Sequence, residues 1–158
     1  MKKNAPLTEL FYTSKEEENQ WKYKSVPMYA IPKPKRYKLH TANGLTQAII
    51  DFIKSKGYQA ERIDCQGRVI DNRITYTDAI GRTKTIGSIK RIRTSAQIGT
   101  ADVSATIKGR SIKIEVKIND RQSKEQKEYQ ETIEKAGGVY LVVKEFEAFI
   151  SWFNGFVE

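Results

Sequence analysis

The stretch Ala-Asp-Val-Ser-Ala-Thr-Ile-Lys-Gly-Arg-Ser-Ile-Lys-Ile-Glu-Val-Lys-Ile, residues 101–118, decides the fold. Ile112, Ile114, Val116 and Ile118 alternate with Lys113, Glu115 and Lys117, the pattern of a strand with one apolar face. Upstream, Val103, Ala105 and Ile107 alternate with Asp102, Ser104 and Thr106. Gly109 tolerates positive φ and supplies the reversal between them. With Lys108-Gly109 as a two-residue turn, Val103 lies opposite Ile114, Ala105 opposite Ile112, and Asp102 opposite Glu115. A slip of one residue would turn the charges into the core. The pattern therefore predicts an antiparallel hairpin that sets Asp102 and Glu115 roughly 5 Å apart as a cross-strand pair. Lys117 shares their face.

Two like charges set opposite each other destabilise a sheet unless something neutralises them. A divalent cation does so. A set of oxygen ligands with room for water and phosphate suits Mg²⁺ or Mn²⁺. Lys117, beside the cation, is then placed to orient an attacking water or to stabilise charge developing on a phosphate. The plainer reading is a solvated hairpin face on which Glu115 is flanked by Lys113 and Lys117. Residue patterning alone leaves both open.

Asp102 followed by Glu115-Val116-Lys117 resembles the core motif of the PD-(D/E)XK nucleases, with Gly99-Thr100-Ala101-Asp102 where the name has Pro-Asp. With Arg121-Gln-Ser-Lys-Glu-Gln126 and Ala136-Gly-Gly-Val-Tyr140 in the same order, the segment from about 44 to 150 resembles the VRR-NUC branch. The resemblance implies an α/β fold with a restriction-endonuclease-like αβββαβ core, a central mixed sheet flanked by helices. It implies metal ligands in Asp102, Glu115 and the backbone carbonyl of Val116, with Lys117 and Gln126 as catalytic residues. Gln126 also completes a capping box with Ser123, so a purely structural role at a helix start stands beside the catalytic one. The branch often carries an acidic residue on its first helix. Gln47 is the nearest candidate here and brings no charge, which puts a second metal in question. The activity implied is metal-dependent hydrolysis of phosphodiester bonds in DNA by a homodimer acting on branched substrates such as Holliday junctions. A flap, single-strand or duplex-specific nuclease of the same fold and a noncatalytic nucleic-acid-binding module are the alternatives.

Composition agrees with a polyanionic partner. The chain has 158 residues with 28 Lys and Arg against 19 Asp and Glu, a formal charge of +9. Cations of this kind drive binding to phosphate backbones. Arg82, Lys84, Lys90, Arg91 and Arg93 crowd the segment leading to Asp102 and are the candidate DNA contacts. A single cysteine, Cys65, excludes a disulfide framework, and a single histidine, His40, argues against His-rich metal sites. No stretch reads as a signal peptide or membrane span, which predicts an intracellular, cytoplasmic protein without membrane partners.

The chain divides into a basic, proline- and aromatic-rich arm, residues 1–40, and a nuclease-like domain, residues 41–158. The arm predicts a short helix over 13–21 and extended chain over 25–37. Its Trp21, Tyr23, Met28, Tyr29 and Tyr37 are expected to pack on the core or on a second subunit. The domain predicts a helix over 44–56 stopped by Gly57, a strand over 58–65, then short strands or a long loop over 66–97. After the hairpin come a helix over 123–136, a buried strand over 139–143, and a helix over 145–153 presenting Phe146, Phe149, Ile150 and Phe153 on one side.

Overall fold

A computed structural model describes residues 6–64, 67–92 and 97–158. Cys65 and Arg93 lie outside the described residues. The elements are α1 (Leu7–Lys22), α2 (Ala42–Ser55), β1 (Gln59–Arg62), β2 (Arg68–Asp71), β3 (Ile74–Thr77), β4 (Thr83–Ile86), β5 (Ile89–Ile92), β6 (Val103–Ile107), β7 (Arg110–Val116), α3 (Lys124–Lys135), β8 (Val139–Val143) and α4 (Phe146–Val157).

The hairpin forms in the register the sequence dictates. Val103 pairs with Ile114 and Ala105 with Ile112. Lys108 and Gly109 both take positive φ, 49° and 74°. That is the primed two-residue turn whose twist matches the flanking strands. β6 and β7 are the middle of a four-stranded mixed sheet in the order β1-β6-β7-β8. β1 runs antiparallel to β6, and β8 runs parallel to β7. A parallel neighbour needs a crossover, and α3 supplies it.

The apolar face of the sheet carries the main core. Val103, Ala105, Ile107, Ile112, Ile114 and Val116 are buried there against α2 and α4. Helical spacing puts Leu45, Ala48, Ile49, Phe52 and Ile53 of α2 inward, and all five are buried, as are Phe146, Phe149, Ile150 and Phe153 of α4. Phe52 meets Phe146, Phe149 and Phe153 edge-on at 6.0, 5.8 and 5.0 Å between ring centres. On the opposite face α3 covers a smaller cluster of Ala101, Tyr129 and Tyr140. The result is a mixed α/β fold with its central sheet flanked by helices.

One expectation needs correction and one open alternative is resolved. The arm packs on the core, but through different residues from those predicted. α1 begins at Leu7 and buries Phe11 and Tyr12 among the phenylalanines of α2 and α4. Trp21, Met28 and Tyr29 are instead exposed. Only Tyr37 of the five is held inward, by a hydrogen bond from its hydroxyl to Asp51 and by its N–H to the Tyr12 hydroxyl at 3.0 Å. The arm thus shares its core with the 41–158 body. Of the two alternatives for 66–97, the described part takes the short strands, paired as an antiparallel ribbon of two two-stranded ladders: β2 pairs with β5 and β3 with β4. Asn72 N–H to the Ser88 carbonyl continues the same register between the two halves.

No helix among the described residues is long and apolar enough to cross a membrane.

Candidate active site

Three segments meet beneath the N-terminus of α3. The hairpin brings Glu115 and Lys117, the loop before β6 brings Asp102, and the first turn of α3 brings Gln126. Pattern alone places Glu115 on a polar face and suggests solvent. The structure instead buries it at 2 % exposure, because α3 lies over that face.

One Glu115 oxygen is fully engaged. Oε1 accepts from Gln126 Nε2 at 2.6 Å and lies 3.0 Å from Lys117 Nζ. The other oxygen, Oε2, is buried without a hydrogen-bond partner among the described residues. Burial pushes the Glu115 carboxyl above the usual carboxylate range. The charge of Asp102 adds to that, while Lys117 and Gln126 oppose it. Leaving one buried acceptor unpaired costs about 1–3 kcal/mol. Burial holds the Tyr140 phenol protonated; the charge of Glu115 adds to that, and nearby Gln122 opposes it.

The rung expected between Asp102 and Glu115 is modified. The ladder ends at Val103–Ile114, and Asp102 turns its carboxylate along the strand end. Its Oδ2 accepts from Val116 N–H at 2.9 Å, while its carbonyl accepts from Ile63 N–H at 2.8 Å. The N–H and carbonyl of one strand residue point to the same edge, so the Val116 carbonyl faces the Asp102 side as well. Asp102, Glu115 and that carbonyl form an oxygen-only set fit for a hard divalent cation. No third acid and no histidine joins them among the described residues. A cation held there would keep positions for water and phosphate. The unpaired Oε2 and the mutual repulsion of the two carboxylates are what such a charge would relieve. Gln47 does not reach this group; its side chain bonds Asp51 at 3.1 Å on α2.

Gln126 caps its helix and contacts Glu115 as well. Its Oε1 accepts from Ser123 N–H at 2.9 Å and its backbone N–H donates to Ser123 Oγ at 3.3 Å, a complete capping box, while Nε2 reaches Glu115. The cap therefore aims the amide at the carboxylate. Ser123→Ala is expected to cost about 1 kcal/mol of stability, the usual worth of a cap. Gln126→Ala is expected to cost more than that, because it also strips Glu115 of a donor. Chemical denaturation of the two variants measures the difference.

A feature missed in the sequence lies on the far side of Lys117. A cleft of about 330 Å³ is lined by Lys117, Arg121, Gln122, Lys127, Val142 and Lys144, with Asp120 its single acid. These cations come from the end of β7, the loop before α3, α3 itself and the end of β8. Scattered spacing gave no run of charge to notice. Arg82, Lys84, Lys90 and Arg91, by contrast, all sit on the ribbon. Among the described residues none of them bonds to Asp102, Glu115 or Lys117.

The raised Glu115 carboxyl has a consequence for pH. In the folded chain it holds its proton more readily than in the unfolded one. That contribution to stability is complete below the ordinary glutamate range and is lost as pH rises through the raised value. Cation binding needs the deprotonated form, so it releases a proton and strengthens with pH. Mn²⁺ is expected to raise Tm more at pH 8 than at pH 5, and to do neither in Glu115→Gln. Thermal melting at the two pH values, with and without the ion, tests this.

No family model matches this chain, and no curated protein matches it in sequence.

Proposed function

We propose that this chain is a metal-dependent endonuclease that hydrolyses phosphodiester bonds in DNA, acting as a homodimer with branched DNA as its preferred substrate. The observation that carries the reading is Glu115. It is a buried carboxylate beside Asp102, with one oxygen held by Lys117 and Gln126 and the other without a hydrogen-bond partner among the described residues. A binding module has no use for such a costly pair. The element order α2-β1-β6-β7-α3-β8, with the ribbon inserted after β1, supports a restriction-endonuclease-like core.

A bound Mg²⁺ or Mn²⁺ would lower the pKa of coordinated water and neutralise charge on phosphate oxygens. Asp102, Glu115 and the Val116 carbonyl would hold it. The chain's own residues do the rest. Glu115 and the walls around it keep the Lys117 ammonium in one place, at 16 % side-chain exposure. From there it can donate to a non-bridging phosphate oxygen as negative charge grows, or fix the attacking water. Gln126 keeps Glu115 oriented, and Gly99 lies against the first turn of α3. Arg121, Lys127 and Lys144 receive the phosphates flanking the one that is cut.

The test is cleavage of a labelled four-way junction, a flap, a linear duplex and a single strand in Mg²⁺ and in Mn²⁺, with Lys117→Ala as control. Junction-selective cutting lost in the variant supports the proposal. Cutting of another substrate, also lost, keeps the nuclease and discards the preference for branches. Binding without cutting in either ion favours a noncatalytic module.

A further inference from the structure

The ribbon formed by β2 to β5 has no core of its own. Two strands alone are marginal in water. Yet this pair exposes Val69, Ile74, Tyr76, Ile80, Ile86, Ile89 and Ile92. Its two ladders, Arg68–Ile92 to Asp71–Ile89 and Ile74–Ile86 to Thr77–Thr83, share one pairing register across a short break at 72–73 and 87–88 that Asn72 N–H to the Ser88 carbonyl bridges at 3.1 Å, and the tip closes with Asp78 N–H on the Arg82 carbonyl at 2.9 Å. Ten residues per strand, 68–77 and 83–92, give it a reach of roughly 33 Å, close to one turn of duplex DNA.

The charge on the ribbon says what covers it. Residues 67–92 carry six cations, Arg68, Arg73, Arg82, Lys84, Lys90 and Arg91, against two acids. Both acids are already engaged. Asp71 binds Arg73 at 2.7 Å, and Asp78 binds Lys84 at 3.3 Å and the amides of Ile80 and Arg82. Cations and apolar residues are interleaved across the strands. Arg68 stands opposite Ile92, Ile70 opposite Lys90 and Tyr76 opposite Lys84. Packing two such faces together in a protein interface would bury cations with no acid left to meet them, at a cost of several kcal/mol each. Duplex DNA offers the opposite arrangement. Its phosphates meet the cations, and its groove floor offers apolar contact, thymine methyls included. The major groove admits a two-stranded β-ribbon.

We infer that this ribbon enters a groove of duplex DNA and binds its flanking phosphates through Arg82, Lys90 and Arg91. The inference rests on the nuclease reading above for its substrate class and adds the element that holds the duplex.

The test measures binding of a fluorescein-labelled 30-base-pair duplex by anisotropy from 50 to 200 mM salt, with the full chain and no divalent ion. The triple variant Arg82→Ala, Lys90→Ala, Arg91→Ala is expected to reduce the salt slope by about 3 and the affinity by roughly 10- to 100-fold. The gain-of-charge variant Thr77→Lys, Thr83→Lys is expected to steepen the slope, a change that misfolding does not produce. Unchanged slope and affinity in both variants overturn the inference. So does a triple variant that turns a dimer into a monomer in sedimentation while binding DNA as before, since the ribbon would then serve a second copy. Cleavage read on the same preparations separates the two proposals. Wild-type cutting with variant binding unaltered discards the ribbon and keeps the nuclease. Ribbon-dependent binding without wild-type cutting does the reverse.

Discussion

Replacing Lys117 with methionine is expected to lower metal-dependent DNA cleavage by at least about 10²-fold, the usual loss when one positioned donor to a developing anion is removed. Methionine keeps an unbranched apolar stem of similar length, so the loss is mainly one of charge and donor. The ammonium sits 3.0 Å from Glu115 Oε1, and its removal leaves that carboxylate with Gln126 alone. The carboxyl then rises further above its usual range, and cation affinity weakens with it. Single-turnover cleavage and DNA affinity, measured together, check the expectation. Cleavage should collapse while binding changes less than tenfold, because the cations proposed to meet phosphates along the cleft and ribbon remain. An equal fall in both would assign Lys117 to binding instead.

The second large effect is expected at Gly99. Its φ is +83°, a backbone state that L side chains rarely adopt, and a Cβ there would lie 2.4 Å from the Glu125 carbonyl oxygen and 2.9 Å from the Gln126 nitrogen. The obstacle is backbone, so no rotamer change relieves it. Gly99→Ala is expected to destabilise the protein by roughly 2–4 kcal/mol, the strained φ and the displaced helix start together. A chain of this size should lose about 5–15 °C in Tm. The displaced turn is the one that aims Gln126 at Glu115, so the activity that survives should also fall. Gly109→Ala is a useful contrast. Its φ is also positive, but open space surrounds it, so it carries the conformational penalty alone. If both variants melt at the same temperature, the close approach of Gly99 to α3 does not matter energetically.

Both predictions concern features that the sequence discloses unevenly. The hairpin was legible from Val103–Ile114 to the turn, because strict alternation on both strands permits one register and Lys108-Gly109 suits one turn, but the rung expected at Asp102–Glu115 does not form. α2, α3, β8 and α4 followed from spacing and caps, and their bounds moved by a few residues at most. Burial of Glu115 was not legible. Alternation tells which residues share a face but not whether a helix later covers that face. The aromatic arm misled for a related reason. Trp21, Met28 and Tyr29 look like anchors by size, while the anchoring pair Phe11 and Tyr12 lies where helical periodicity starts earlier than the acidic run suggests. The ribbon escaped because neither of its faces is buried by the chain itself, so no period dominates. Of the candidate site, Asp102, Glu115, Lys117 and Gln126 were found from motif and spacing. The cations of the neighbouring cleft, Arg121, Lys127 and Lys144, converge only in three dimensions.

The tight turn at Lys108-Gly109 also bears on the order in which the molecule assembles. Hairpins close within about 1–10 μs, whereas parallel pairing waits for a crossover to form. β6 and β7 are neighbours along the chain, and β8 joins them only after α3 has folded back. Asp102 and Glu115 are therefore expected to meet early, in an encounter whose loop is short. Glu115 would then stay hydrated until α3 docks, so its desolvation falls late on the pathway. Truncations such as Ile112→Val should slow refolding, while Tyr129→Phe on α3 should mainly speed unfolding. The two carboxylates would be gathered while water still screens their repulsion, and sealed only when the helix that orients them arrives.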